Sequence, residues 1–147
     1  MSDSSADAAL ANLPHADPFR FIDRIDELSA ERGRGAWIVE GDEDFLRGHF
    51  PGRPLVPGVL ITEAAAQLAG AVAHHAIGGG TDGMLVLSEA RFRRPVAPPA
   101  TIELSVEAIG RFGSIHRFEF EATVDGVGVA SGSVGVSLGP APGEGSS

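Results

Sequence analysis

Apolar and polar residues alternate with two different periods along the chain. From Gly58 to about Ile77 nearly every position is apolar or alanine, which predicts a helix that is buried on most sides. Pro57 and Gly58 stand at its start, and the run GGGTDG ends it. Further along, apolar residues recur at every second position in 102–108 and again in 118–124, and this period predicts two strands.

Other segments complete a predicted sheet. DG at 125–126 turns the chain into VGVASGSVGVSL, which predicts a hairpin. Met84–Val96 supplies another strand, GRGAWIVEG an earlier one, and a short helical turn within LPHADPF precedes a first strand at about Phe21–Leu28. One buried helix and five or six largely antiparallel strands predict an α+β domain in which the sheet curls around the long central helix.

The chain length and the composition of both ends set the domain boundaries. A length of 147 residues suits one domain with its own core and is too short for two ordinary ones. Residues 1–12 are small and polar, and GPAPGEGSS at 139–147 is a Gly/Pro/Ser segment, so both are expected to be flexible tails. The predicted folded domain is therefore 13–138.

Composition and charge exclude several functional classes. With 11 basic against 20 acidic residues the net charge is −9, which argues against general nucleic-acid binding. No cysteine is present, so neither a disulfide framework nor thiol chemistry is expected. The apolar run is interrupted by polar residues and the N-terminus lacks signal-peptide features, which predicts a cytoplasmic protein without a membrane span.

A carboxylate and an amide side chain lie inside the predicted apolar helix. Glu63 and Gln67 are four residues apart, so they project from one face of the helix. His49 precedes Glu63 by fourteen residues and begins a loop in which three prolines limit the freedom of the backbone. A buried carboxyl group among apolar residues needs a partner, a proton or a chemical function.

A glutamate and a histidine in one dry cleft suit acid–base chemistry. Apolar surroundings favour the protonated carboxyl, whereas a neutral imidazole can accept a proton. The first amides of the predicted helix, those of Gly58 and Val59, lack intrahelical partners and can polarise a carbonyl oxygen. The residues alone leave open a structural pair, with Glu63 hydrogen-bonded inside a subunit contact.

Longer motifs resemble a known family. LPHADPFRFIDRI, GHFPGRPLVPGVLITEAAAQLAG, ARFRRPV and EATVDG occur in the order and spacing typical of 3-hydroxyacyl-[acyl-carrier-protein] dehydratases of the FabZ type, which have the hotdog fold. The resemblance covers roughly residues 13–136. It implies a central helix wrapped by an antiparallel sheet and a homodimer, with a trimer of dimers as a larger assembly.

The same resemblance implies a reaction and residue roles. It places the active site in a tunnel at the dimer interface, with His49 of one subunit and Glu63 of the other as the catalytic pair. Gly58 matches the glycine whose amide contacts the thioester carbonyl, and Gln67 matches the glutamine that helps hold the site. His49 would take the C2 proton of a (3R)-3-hydroxyacyl thioester, and Glu63, protonated or through a bound water, would release the C3 hydroxyl to give the trans-2-enoyl thioester. No metal or resident cofactor is implied.

The family's acyl carrier protein is acidic and presents the acyl chain on a phosphopantetheine arm. Residues 90–117 carry five arginines against two glutamates, and Arg91, Arg93 and Arg94 are candidates for the carrier docking surface. The alternative is that these arginines form a solvated strand face.

Departures from the family pattern leave the substrate and pathway open. RPVAPPA stands where the family often has RPVxPGD, and the chain has no tyrosine, so the sequence does not fix acyl chain length or tunnel gating. A polyketide or aryl-polyene pathway is an alternative to fatty-acid synthesis. Two functional alternatives are a non-catalytic acyl-carrier-binding hotdog subunit and an enoyl-CoA hydratase.

The remaining histidines are interpreted as structural. His15 is expected to close the N-terminal segment over the domain. His74 and His75 lie near the end of the predicted helix, where a cation offsets the helix dipole, and His116 lies in a strand.

Overall fold

A computed structural model describes residues 9–10, 19–50, 52–78 and 83–138. The elements follow in chain order: β1 Arg24–Leu28, β2 Arg32–Val39, a 3-10 helix η1 Asp44–Gly48, α1 Gly58–Ala76, β3 Met84–Phe92, β4 Ala100–Phe112, β5 Ile115–Val124 and β6 Val127–Ser137. The expected tails, apart from Ala9 and Leu10, lie outside the described residues. So do the turn expected before the first strand, with His15, and residues 79–82 of the glycine-rich loop.

The six strands form one antiparallel sheet in the order β1-β2-β4-β5-β6-β3. Helix α1 packs against one face of this sheet and contacts every strand. The predicted α+β architecture, a single long helix against an antiparallel sheet, is confirmed. Within the part of the chain that the structure describes, β3 pairs with β6 alone and β1 with β2 alone, so β3 and β1 form the two edges of the sheet.

Helix α1 is the centre of the core. Its alanines let the sheet approach closely, and Leu68 and Val72 are fully buried between helix and strands. Gly33 on β2 contributes to this close approach, because a Cβ there would lie 2.7 Å from Val72. None of the helices among the described residues is long and apolar enough to cross a membrane.

The alternating segments form strands as predicted. On β4 the side chains of Ile102, Leu104 and Val106 are buried against the helix, while the residues between them face outward or are half-buried. The predicted β5–β6 hairpin turns at Asp125 and Gly126, both with positive φ, which is the backbone conformation that a two-residue hairpin turn requires.

Two strand boundaries differ from the prediction. The first strand begins at Arg24, because the Phe21 N–H donates to the side chain of Gln67 and not to a neighbouring strand. Strand β3 ends at Phe92 and does not continue to Val96, whose carbonyl accepts from the Val56 N–H of the loop before α1.

Candidate active site

The loop between η1 and α1 holds His49 in a defined orientation. The His49 Nδ1 lies 2.9 Å from the carbonyl oxygen of Leu55, and the Leu55 N–H donates to the His49 carbonyl at 2.8 Å. Since a carbonyl oxygen only accepts, Nδ1 carries the proton in the neutral ring. The lone pair is therefore on Nε2, which can act as a base.

Further contacts stiffen the same loop. The ring of His49 stacks on Phe50, with 4.4 Å between ring centroids. Phe50 and Arg53 exchange two backbone hydrogen bonds, and the Val56 N–H donates to the Val96 carbonyl after β3 at 2.8 Å. These contacts hold the loop, and His49 with it, in a fixed position relative to the sheet.

Glu63 lies in the second turn of α1 and is held by Gln67. The Gln67 Nε2 donates to Glu63 Oε2 at 3.1 Å and to the Phe19 carbonyl at 3.1 Å. Its Oε1 accepts from the Phe21 N–H at 2.9 Å. With a side chain only 3% exposed, Gln67 fixes one carboxylate oxygen of Glu63, so a proton on this group belongs on Oε1.

The N-terminus of α1 supplies the predicted amides. Gly58 is the first helical residue, and the N-cap residue Pro57 makes no side-chain hydrogen bond to these amides. Gly58 packs against Phe92 at the end of β3, where a Cβ would lie 2.8 Å from the ring. The side chain of Val59 is 72% exposed, so this end of the helix is open on one side within the single chain.

The structure thus brings Glu63 and Gln67 into direct contact and places Gly58 and Val59 at the start of the same helix. His49 lies on the loop that leads into that helix. In chemical terms these groups are a base nitrogen, a fixed carboxyl and a pair of helix N-terminal amides. That set suits removal of a proton beside a polarised carbonyl.

The three candidate docking arginines are all exposed. Arg91 is on β3, and Arg93 and Arg94 follow it. The surface around them is not purely basic, since Arg93 lines a groove of about 870 Å³ on the outer face of the sheet together with several glutamates, among them Glu89 and Glu121. This groove lies on the other face of the sheet from α1 and contains neither His49 nor Glu63.

Sequence reasoning missed three contributors to the site. The Leu55 carbonyl fixes the His49 tautomer, the backbone of Phe19 and Phe21 orients Gln67, and Phe92 covers Gly58. All four residues lie in the motifs quoted above, but only Phe92 acts through its side chain. The others act through backbone groups, which no side-chain pattern reveals. Among the described residues, no group of three or more His, Asp or Glu side chains is arranged to hold a metal ion.

Comparison with known proteins gives matches over nearly the whole chain. The FabA-like domain family matches residues 13–133. A 3-hydroxyacyl-[acyl-carrier-protein] dehydratase FabZ from Bradyrhizobium sp. (strain ORS 278) is 38% identical over 142 residues, which are 93% of this chain and 93% of the relative. A protein of the same name from Rhizorhabdus wittichii is 42% identical over 120 residues, covering 78% of this chain and 76% of the relative.

Solved structures agree on the architecture. The dehydratase heterocomplex ApeI:P from Xenorhabdus doucetiae matches with a TM-score of 0.74 at 16% identity, covering 90% of this chain and 91% of that one. Cj0977, a sigma28-regulated virulence protein from Campylobacter jejuni, matches with a TM-score of 0.68 at 16% identity, covering 92% and 91% of the two chains. At such identities these matches establish the fold, and the expected hotdog arrangement of helix and sheet is confirmed.

Proposed function

The chain belongs to the FabA-like domain family, and from that membership we infer that it is an enzyme that dehydrates 3-hydroxyacyl thioesters carried on acyl carrier protein. Its similarity to the FabZ relatives extends over most of both chains and includes the segment with His49 and Glu63. The observation that carries the assignment of roles is the Nδ1 contact of His49 with the Leu55 carbonyl, which leaves Nε2 as a base.

In the proposed reaction, the amides of Gly58 and Val59 polarise the thioester carbonyl and so acidify C2. His49 Nε2 takes the C2 proton, and Glu63 gives its proton, directly or through a water, to the hydroxyl that leaves C3. A C2–H bond and a C3–O bond break, a C2–C3 double bond forms, and water departs. His49 gains one proton and Glu63 loses one. The starting enzyme is restored when His49 releases its proton and Glu63 takes one up.

The site is proposed to be shared by two copies of the chain. Strand β3 is a sheet edge with unpaired backbone groups, and exposed edges of this kind pair with other strands. It also exposes apolar side chains: Met84, Val86, Leu87 and Phe92. The opposite edge, β1, exposes the charged Arg24 and Asp26. The difference favours β3 as the dimer edge, which would let His49 of one subunit meet Glu63 of its partner.

Delivery of the substrate is proposed to use the exposed arginines. Arg91, Arg93 and Arg94 stand at and just beyond the end of β3, next to the Phe92 that covers Gly58. An acidic carrier protein docked there would direct its phosphopantetheine arm toward the start of α1. We propose the cytoplasm as the location of this reaction.

Two related assignments differ in what they need. A binding-only subunit would need a second hotdog chain for activity, and a heterocomplex is known for the structural relative ApeI:P. An enoyl-CoA hydratase would run the same chemistry in reverse on coenzyme A thioesters.

One assay separates these assignments. The purified protein alone is given 3-hydroxyacyl chains of four to sixteen carbons, each on acyl carrier protein and on coenzyme A, and enoyl product is followed. We expect turnover without a second protein and a higher kcat/KM on the carrier. Activity that requires a second chain would support the binding subunit, and a preference for coenzyme A would support the hydratase. An Arg91→Ala, Arg94→Ala double variant should weaken only the carrier reaction.

A further inference from the structure

The C-terminal end of α1 carries a histidine whose polar atoms are buried without partners. Both ring nitrogens of His74 are buried, and neither has a hydrogen-bond partner among the described residues. An unsatisfied buried polar group costs about 1–3 kcal/mol, so proteins seldom keep one without a purpose. The sequence alone gave His74 no function, and this burial is what changes the interpretation.

His74 lies on the same helix face as Glu63. The two residues are eleven positions apart in α1, which is about three helical turns and about 16 Å along the axis. Gln67 and Gly70 lie between them on that face. Glu63, Gly70 and His74 are each half-buried, whereas most of the helix is buried against the sheet.

Strand β3 runs alongside this face from one end to the other. At the start of the helix, Gly58 packs against Phe92, the last residue of β3. At the other end, a Cβ on Gly83, just before β3, would lie 3.7 Å from His74 Nε2. The edge strand and the helix are therefore antiparallel neighbours, and the exposed face of α1 is bordered by the sheet edge.

Space remains between the helix and this strand. Ser88 on β3 is paired with the fully buried Val134, and directly opposed strand residues share a face, so Ser88 points to the helix side with a short side chain. Midway along the helix, a Cβ on Gly70 would meet no heavy atom within 4 Å. The face between Glu63 and His74 therefore has room for a chain of atoms.

The acyl chain of a substrate bound at His49 and Glu63 would extend into this space, and we propose that His74 hydrogen-bonds a hydroxyl group at the end of the chain distal to the thioester. The inference rests on the proposed function and deepens it by naming a substrate class, 3-hydroxyacyl thioesters with a hydroxylated terminus. His74 acts as a specificity residue and not as a catalytic one, because its position on α1 is about 16 Å along the axis from that of Glu63.

The surroundings of His74 favour a neutral hydroxyl over a carboxylate. His116 on β5 is buried close by, and its pKa is lowered by desolvation, by Arg111 and by His74 itself. Desolvation is the largest of these causes, so water is largely excluded here, and burying a carboxylate would cost much more desolvation free energy than burying a hydroxyl. A hydroxyl can donate to or accept from whichever imidazole nitrogen faces it, whereas a carboxylate can only accept.

The test compares three carrier-bound 3-hydroxyacyl substrates of equal length, ending in a methyl, a hydroxyl or a carboxylate. Long chains that reach His74 should show a kcat/KM about tenfold higher for the hydroxyl terminus than for the methyl terminus, the effect of one hydrogen bond. His74→Leu should abolish this ratio, His74→Gln should retain part of it, and His75→Leu, a change at the exposed neighbouring histidine, should leave it unchanged. A role in folding alone would not move this ratio.

A second variant tests the route of the chain. Gly70→Leu should remove activity on long chains and spare short ones, because the added side chain would fill the open space beside Gly70. Equal kcat/KM for methyl and hydroxyl termini, a ratio that persists in His74→Leu, or a preference for the carboxylate would overturn the inference while leaving the proposed function standing. Absence of turnover on every substrate would overturn both.

Discussion

At the N-terminal half of α1, the amide of Gln67 makes three hydrogen bonds, whereas at the C-terminal end His74 makes none through its ring nitrogens among the described residues. The Nδ1 of His49 is likewise partnered, by the Leu55 carbonyl. Both ends bury polar groups against the same sheet. They differ in whether the chain itself satisfies these groups.

The difference indicates two uses of a buried polar group. Where chemistry requires a fixed geometry, as at Gln67 and at the Nδ1 of His49, the chain supplies the hydrogen-bond partners in advance, so these side chains need no reorganisation during the reaction. Where a ligand is to be recognised, the chain leaves a buried polar group without a hydrogen-bond partner. The free-energy cost of this unsatisfied group is recovered when the ligand binds and supplies the hydrogen bond. Changes at the first end should therefore affect turnover on all substrates, and changes at the second end should affect only some.

The largest effects are expected from the catalytic pair. His49→Ala and Glu63→Gln should each lower kcat by about 10²–10⁴-fold, because each removes one proton transfer. Both variants should stay folded and elute from size-exclusion chromatography at the volume of the wild type. His75→Ala, at an exposed histidine of the same helix, serves as the control and should keep full activity. Near-normal turnover of either variant would disprove the role assigned to that residue.

Mixing the two inactive variants tests whether the site is shared. If His49 and Glu63 act across the interface, a mixed dimer has one intact site and one site lacking both groups. After random exchange of subunits, about a quarter of wild-type activity should return. No recovery, once exchange has been verified by mass spectrometry, would place both residues of each site on one subunit.

The sequence predicted those parts of the molecule that depend on local pattern. The period of two located β4 and β5, and the apolar run located α1. The motif around HFPG predicts His49 and Glu63 as the catalytic pair, and this assignment stays a prediction until the variants are measured. The remainder depends on contacts between distant residues. The side chain of Gln67 accepts a hydrogen bond from the backbone N–H of Phe21, 46 positions away, and β1 begins only at Arg24. The burial of His74 depends on how β3 and β5 pack against the helix end, which no local pattern encodes.

A smaller effect is expected where the helix start meets β3. Gly58→Ala would place a Cβ 2.8 Å from the ring of Phe92, so either the ring or the helix must shift. We expect a loss of about tenfold in kcat/KM, as a small displacement of the amides weakens carbonyl polarisation. Phe92→Leu in the same chain should restore part of the activity. Gly110→Ala, at an exposed glycine of β4 where a Cβ would have its nearest neighbour at 4.0 Å, is the control.

If Gly58→Ala retains wild-type kcat/KM, the close approach of Phe92 does not position the amides. If the double variant is as impaired as Gly58→Ala alone, the loss comes from the glycine itself and not from crowding by the ring.

Gln67 should contribute mainly to stability. Gln67→Leu leaves the Phe21 N–H and the Phe19 carbonyl without their partners, at a cost of about 1–3 kcal/mol for an unsatisfied group. We expect a lower urea midpoint and a lower kcat on all chain lengths alike. Thr62→Val is a matched control in the same helix, because Thr62 is buried but makes only a long 3.5 Å contact with the Gly58 carbonyl. A Gln67→Leu protein as stable as that control would show that the hydrogen bonds of Gln67 do not stabilise the fold.

The smallest effect concerns pH at the C-terminal end of α1. Desolvation, Arg111 and His74 lower the pKa of His116 in the folded protein below the unfolded value of about 6.5. The unfolded chain then binds more protons near this pH, so the free energy of unfolding should be highest above pH 6.5 and decline as the pH falls toward 5. One such group adds at most about 1.4 kcal/mol per pH unit. Urea midpoints of wild type and His116→Leu, measured at fixed protein concentration from pH 8 to 5, should therefore differ in slope, with His75→Leu keeping the wild-type slope. Identical slopes in wild type and His116→Leu would mean that His116 carries no pH-linked stability, and the two ends of α1 would then differ only in hydrogen bonding.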